Sequence, residues 1–314
     1  MCRFLTFAVL SLLASAHAAE IPTQITIADK GLYPEGIAYD GKRDAFWISS
    51  FQYGRLSLIG STGGIRDTIS HPELISSIGM KLRGGELYVC VGDLGVSKHS
   101  ITEGIRKIAK VLVFHTGTRK LIRVHDLSPV AGSGPLFPND LDIDPAGNIY
   151  VTDSFSPQIY KITPQGEASI LITSDLFKGA EGANLNGILW HPDGYLLASK
   201  QNNGRLFKID AVKKTVAEVR LPAPIPGADG IVLGPDRSLH VAINPKGGSR
   251  VARYTSQDGW STAQLASEDK TGYRFPTTAT LANGKVFTLN GDLRPLFEKQ
   301  PDVETFTIRE YQPQ

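Results

Sequence analysis

The chain has 314 residues, with 33 Lys and Arg against 31 Asp and Glu and a formal net charge of +2. That near-neutral balance argues against nucleic acid or an anionic membrane as the main partner. Two cysteines beside 41% hydrophobic residues describe a chain held by an apolar core rather than by a disulfide framework.

The first segment reads as an export leader. Arg3 supplies the charge, Phe4 to Leu13 are largely apolar, and Ala16-His17-Ala18 has the small-x-small pattern of a cleavage site. Cleavage after Ala18 leaves residues 19–314 as a single secreted or periplasmic domain, with Cys90 as its one thiol, in a buried-strand context. No later stretch approaches the ~20 continuous apolar residues of a spanning helix, so no membrane span is expected.

After a lone strand, TQITIAD from Thr23, six segments align with one another: PEGIAYDGKRDAFWIS from Pro34, SIGMKLRGGELYVCV from Ser77, PNDLDIDPAGNIYVTD from Pro138, LNGILWHPDGYLLAS from Leu185, ADGIVLGPDRSLHVA from Ala228 and PTTATLANGKVFTL from Pro276. Each is a short strand, a Gly/Asp/Asn turn and a second strand rich in β-branched and aromatic residues. Further paired runs, such as QIYKITP with ASILITS and GRLFKID with TVAEVRL, lie between them. Four strands per repeat at an irregular spacing of this length are the content of a propeller blade. The predicted fold is all-β: a six-bladed β-propeller whose N-terminal strand closes the last blade beside ETFTIREY near the C-terminus.

The residue before the aligned position in each repeat is Glu35, Ile78, Asn139, Asn186, Asp229 and Thr277. If each repeat opens with the innermost strand of its blade, these six meet at the mouth of the central channel. Asn and Asp also favour strand starts for local reasons, but four carboxylates or carboxamides at one converging register ask for more. Glu35 and Asp229 would repel each other there unless a cation were present. The oxygens of Asn139 and Asn186 complete such a site without adding charge. An all-oxygen set suits a hard ion, Ca²⁺ by first choice, with Mg²⁺, Mn²⁺ and Zn²⁺ as alternatives. Asp140 is expected to support Asn139 from behind.

YPEGIAYD, FPNDLDIDPAGNIYVTD, LNGILWHPDG and ADGIVLGPDRSLHVA resemble the metal-binding strand starts of the gluconolactonase, regucalcin and luciferin-regenerating-enzyme family, whose members are six-bladed propellers with one axial divalent cation. The resemblance implies Glu35, Asn186 and Asp229 as ligands, Asn139 as a contact to substrate or to a ligand water, and Asp229 as general base. It also implies a metal-dependent lactonase or esterase-type hydrolase. Sugar-acid members carry an Arg where this chain has Phe137, which points away from an aldonolactone and toward a more apolar ester or lactone. A non-catalytic propeller with a structural Ca²⁺ and a metal-independent synthase of the strictosidine type are the competing readings.

Strand direction alternates within a blade, so the long segments from Leu94, Ser128, Ser174 and Gly291 should rim the same face as the metal. Ser100 and Glu103 have capping-box spacing, suggesting a short helical lid. Phe137, Lys200, Asn202 and Asn290 are candidate substrate contacts on that face. His191, His240, Trp47 and Trp190 read as structural, and His115 belongs to an outer strand. No Gly-x-Ser-x-Gly elbow, P-loop or dinucleotide fingerprint occurs. A small-molecule lactone or ester is the expected partner, with oligomeric state left open.

Overall fold

The computed structural model describes residues 20–179 and 182–313; the export leader read at 1–18 lies outside them. Each aligned repeat becomes the two inner strands of a four-stranded antiparallel sheet, and the intervening runs become the two outer ones. Inner strands start at Ile37–Asp40, Ser76–Arg83, Pro138–Ile143, Leu185–His191, Ala228–Leu233 and Pro276–Ala282, which define blades I to VI. The predicted six-bladed propeller is what the chain forms.

Blade VI is built from both ends of the chain. Its outermost strand, Gln24–Ala28, pairs in unbroken register with Thr305–Glu310, from Gln24 opposite Arg309 to Ala28 opposite Thr305. Aromatic rings fasten this blade to its neighbour: Tyr33 meets Phe306 at 5.5 Å and Phe46 meets Phe287 at 5.4 Å between centroids. Side chains of this size each contribute ~1.5–3 kcal/mol when fully buried, so closure rests on packing as well as on the strand ladder.

Inner strands carry the burial pattern expected of a sheet covered on both faces: Ala45–Ser49 and Leu239–Ile243 are buried at every position. Outer strands, such as Ile65–Ile69 and Thr215–Val219, are largely exposed. Cys90 is buried and free. Trp47 is wholly buried, while Trp190 stacks on Tyr150 across blades III and IV at 5.6 Å. His191 stacks on Tyr195, His240 meets Tyr311 edge to face, and His115 ends a third strand with its side chain exposed. These are the structural placements expected of them. Among the described residues no helix is long and apolar enough to cross a membrane.

Candidate functional site

The inner strands do not run smoothly at the axis. In blades II to VI the pairing of first with second strand shifts register across the residues aligned above: between Ser77 and Met80, Pro138 and Leu141, Leu185 and Ile188, Ala228 and Ile231, and Pro276 and Thr278. A bulge adds a residue to one strand and re-aims its side chain. In blade I the ladder begins at Ile37, one step beyond Glu35 and Gly36. Small residues let the bulges crowd together: a Cβ on Gly36 would lie 2.2 Å from the Ile78 carbonyl oxygen, and one on Gly187 2.7 Å from that of Asp229. Hydroxyls pin the bulges of blades IV and V to the preceding blade, with Ser199 donating to the Asp229 carbonyl at 2.7 Å and Thr152 donating to the Asn186 carbonyl.

This local geometry brings Glu35, Asn139, Asn186 and Asp229 to the wall of one cavity of about 550 Å³, a volume suited to a small molecule. All four are buried. Asn139 donates from Nδ2 to the Ser154 hydroxyl at 3.0 Å, and that hydroxyl already donates to the Leu185 carbonyl at 2.6 Å. The amide can therefore present only its oxygen to the cavity. Asp229 accepts through Oδ2 from Gln201 at 2.9 Å and from Asn244 at 3.2 Å, which leaves Oδ1 to face inward.

The outcome is three buried acceptors without a donor: Asn139 Oδ1, Asn186 Oδ1 and Asp229 Oδ1. Orphaned buried acceptors are uncommon and costly. Burial raises the proton affinity of both carboxylates well above the ordinary range, and at Glu35 the nearby charges of Asp229 and Asp140 raise it further. At Asp229 the hydrogen bonds from Asn244 and Gln201 oppose the rise. Acceptors converging with two close carboxylates fit a divalent cation, which would satisfy the first and neutralise the second. Among the described residues no cluster of three or more His, Cys, Asp and Glu could hold a metal, so such a site has to draw on the two carboxamides.

The other predicted residues scatter. Phe137 lines the cavity. Lys200 is 2% exposed, and its ammonium donates to the Leu176 and Lys178 carbonyls, at 3.0 and 2.5 Å, fastening the loop before blade IV. Asn290 is fully buried, accepting from the Arg274 amide at 3.0 Å and donating to Thr307 at 2.8 Å. Asn202 donates to Asn184 Oδ1 at 3.1 Å. None of these three lines the cavity. Asp140 faces a different cavity of about 250 Å³ farther along the axis, together with Lys81. Its carboxylate accepts from the Leu141 amide at 2.9 Å, and burial pushes its pKa up to about 6 against the pull of Lys81. The support expected of it for Asn139 comes from Ser154 instead.

Ser154, Gln201 and Asn244 were not anticipated, although a signal exists. Each is the residue just after a second strand, at Asp153, Lys200 and Ile243, forming a second polar register. The four long loops all reach the rim, through Leu94, Arg106, Phe137, Ala183, Leu293 and Phe297. The expected lid helix is only a three-residue 3₁₀ turn, Thr102–Gly104, with no side-chain cap. Ser100 donates to Asp93 instead, at 2.6 Å.

No curated protein sequence matches the chain. Among solved structures, the Malassezia sympodialis allergen Mala s 1 is similar over 93% of this chain and 96% of its own, with a TM-score of 0.72 at 17% identity. A luciferin-regenerating enzyme is similar over 93% and 97%, with a TM-score of 0.63 at 12% identity. Virginiamycin B lyase from Staphylococcus aureus is similar over 84% and 80%, with a TM-score of 0.57 at 18% identity. At such identities the likeness establishes the propeller and leaves the chemistry open. Residues 33–281 match the model of the SMP-30/Gluconolactonase/LRE-like region, and by that match over most of its length the chain belongs to this family, as its strand-start motifs led us to expect.

Proposed function

We propose that this protein is a hydrolase that uses one divalent cation, Ca²⁺ by first choice, to open an ester or lactone with an apolar body. The observation that carries the reading is the set of three donor-free oxygens, Asn139 Oδ1, Asn186 Oδ1 and Asp229 Oδ1, beside Glu35 in a single cavity. Glu35, Asn186 and Asp229 would hold the ion, with Asn139 completing the set or turning to substrate. A bound cation would polarise the substrate carbonyl and offset the charge that develops on its oxygen.

The chain's own residues supply the rest. Gln201 and Asn244 fix the Asp229 carboxylate, so its inward oxygen is positioned to accept the proton of an attacking water. The Asn139 oxygen, held by Ser154, would orient that water or a substrate hydroxyl. Phe51, Phe137, Phe155 and Phe275 line the cavity above, favouring an apolar acyl or alkoxy group over a polyhydroxylated one. We also read residues 1–18 as an export leader, so that the enzyme would act outside the cytoplasm.

The test is a Ca²⁺ titration of chelator-stripped protein, following proton release from aldonic, aliphatic and aromatic lactones. Saturable hydrolysis restored by the ion, with aromatic or aliphatic lactones ahead of aldonic ones, is the expected result. Ion binding with no turnover of any ester would favour a binding module with a structural ion. Absence of ion binding would remove the reading altogether.

A further inference from the structure

Among the described residues the cavity has one basic side chain in its wall, Arg106. The same wall carries the apolar side chains of Leu94, Phe137, Phe155 and Leu293. The guanidinium lies over the Phe155 ring at 5.2 Å from the centroid, and among the described residues no acidic side chain pairs with it. A cation stacked on a ring keeps its N–H edge free for a planar acceptor. The backbone at this point is unusual too. Arg106 has φ of 57°, the left-handed region that a bulky residue seldom adopts. Two hydrogen bonds hold it there: its amide donates to the Asp93 carbonyl at 2.8 Å, and its carbonyl accepts from the Leu136 amide at 2.9 Å. The Asp93 carboxylate in turn ties down the same loop, accepting from the Gly95 and Ile101 amides and from the Ser100 hydroxyl. A strained residue held this firmly fixes where its exposed side chain leaves the loop, the Phe155 ring being its recorded support, and such strain gathers at ligand clamps.

The geometry points to Arg106 as an anion anchor, and so to a substrate that carries a carboxylate on an apolar, aromatic-compatible body. This assignment rests on the reading that the cavity takes the substrate. It divides the site into two ends: acceptor oxygens with the ion at the axis, and a guanidinium at the rim with phenylalanines between. The anionic end would form a bidentate pair with Arg106 while the ester or lactone carbonyl lies toward the axis. Recognition by Arg106 would set which ester is taken, without any part in bond cleavage.

A binding experiment tests this apart from turnover. The probes are 4-phenylbutyrate and its neutral counterpart 4-phenylbutanol, titrated into chelator-stripped protein and again with Ca²⁺ present. The carboxylate is expected to bind roughly tenfold tighter than the alcohol in both states, as a charge-assisted bidentate pair predicts. Arg106→Gln should abolish that preference, Arg106→Lys should keep part of it, and Lys107→Gln, a neighbouring cation outside the cavity wall, should keep all of it. Equal binding of acid and alcohol would overturn the proposal, as would a preference that survives Arg106→Gln. A preference confined to the Ca²⁺ form and indifferent to Arg106 would assign the carboxylate to the ion, and would overturn it equally. An Arg106-dependent preference in a protein that hydrolyses no ester would sustain the anchor while the hydrolase reading fell.

Discussion

The two ends of the central channel hold the same kind of group under opposite conditions. Along the axis away from the loops, Asp140 and Asp142 are answered by Lys81, which reaches Asp142 at 3.4 Å and shares a cavity wall with Asp140. At the mouth, Glu35 and Asp229 meet in a wall that includes Asn139 and Asn186 and, among the described residues, no lysine and one basic side chain, Arg106, which shares the wall with the phenylalanines. Where the chain supplies its own counter-charge, the acids form an internal ion pair. Where it supplies only further oxygens, the acids are driven to hold protons or, on the proposed reading, to take a cation from solution. The difference lies in which side chains the inner strands present: beyond its bulge blade II offers Lys81, in regular register with Tyr88, whereas the register shifts at the mouth bring together Asn139, Asn186 and Asp229 beside Glu35.

Asp229→Asn should break the comparison most severely. The new carboxamide can still accept from Gln201 and Asn244, but it turns an N–H₂ group toward the ion. Turnover is expected to fall by about 10²–10⁴-fold, the range for losing a positioned general base, with an unchanged circular dichroism spectrum. Glu35→Gln keeps size and removes charge, and Ca²⁺ affinity measured by calorimetry should drop by roughly 100-fold, since close charge pairs of this sort are worth a few kcal/mol.

The next prediction sharpens the contrast through pH. Glu35 and Asp229 have folded-state proton affinities above their unfolded values near 4.5 and 3.8, so the metal-free fold binds more protons than the unfolded chain between those values and the raised ones. Its stability should therefore fall as pH rises from about 5 to about 8. Thermal unfolding with and without Ca²⁺ should show the ion raising Tm more at pH 8 than at pH 5; the reverse order would mean that the ion binds elsewhere. Lys81→Met, at the other end, should cost about 1 kcal/mol, as expected for a partly exposed pair, or ~2 °C in Tm, with little change in Ca²⁺ affinity.

The propeller was legible because each blade repeats one strand-turn-strand signature, and a repeat can be found without knowing how its members pack. The four axial residues were legible for the same reason: a ring makes equivalent positions converge. The rim was harder to read, because successive residues of a strand face opposite ways and a shift of one position exchanges cavity for core. Lys200 and Asn290 close their second strands and turn to backbone partners, while Gln201, one residue on from Lys200, reaches Asp229. Asp140 was misplaced by the same step, since the bulge that aims Asn139 at the mouth sends its neighbour down the channel. Ser100 and Glu103 have the spacing of a cap, but spacing does not reveal that Asp93 offers Ser100 a better acceptor.

Blade VI gives no side chain to the four-oxygen set, yet it stands between blade V, which carries Asp229, and blade I, which carries Glu35. Its width is a spacer between the two carboxylates, and that spacer is assembled from the first and last strands to be placed, Gln24–Ala28 against Thr305–Glu310. On the proposed reading, the gap that an ion would bridge is gauged by a clasp between the first and last described strands. Fraying of that clasp would loosen the grip on the ion before any of its ligands had moved out of its own blade.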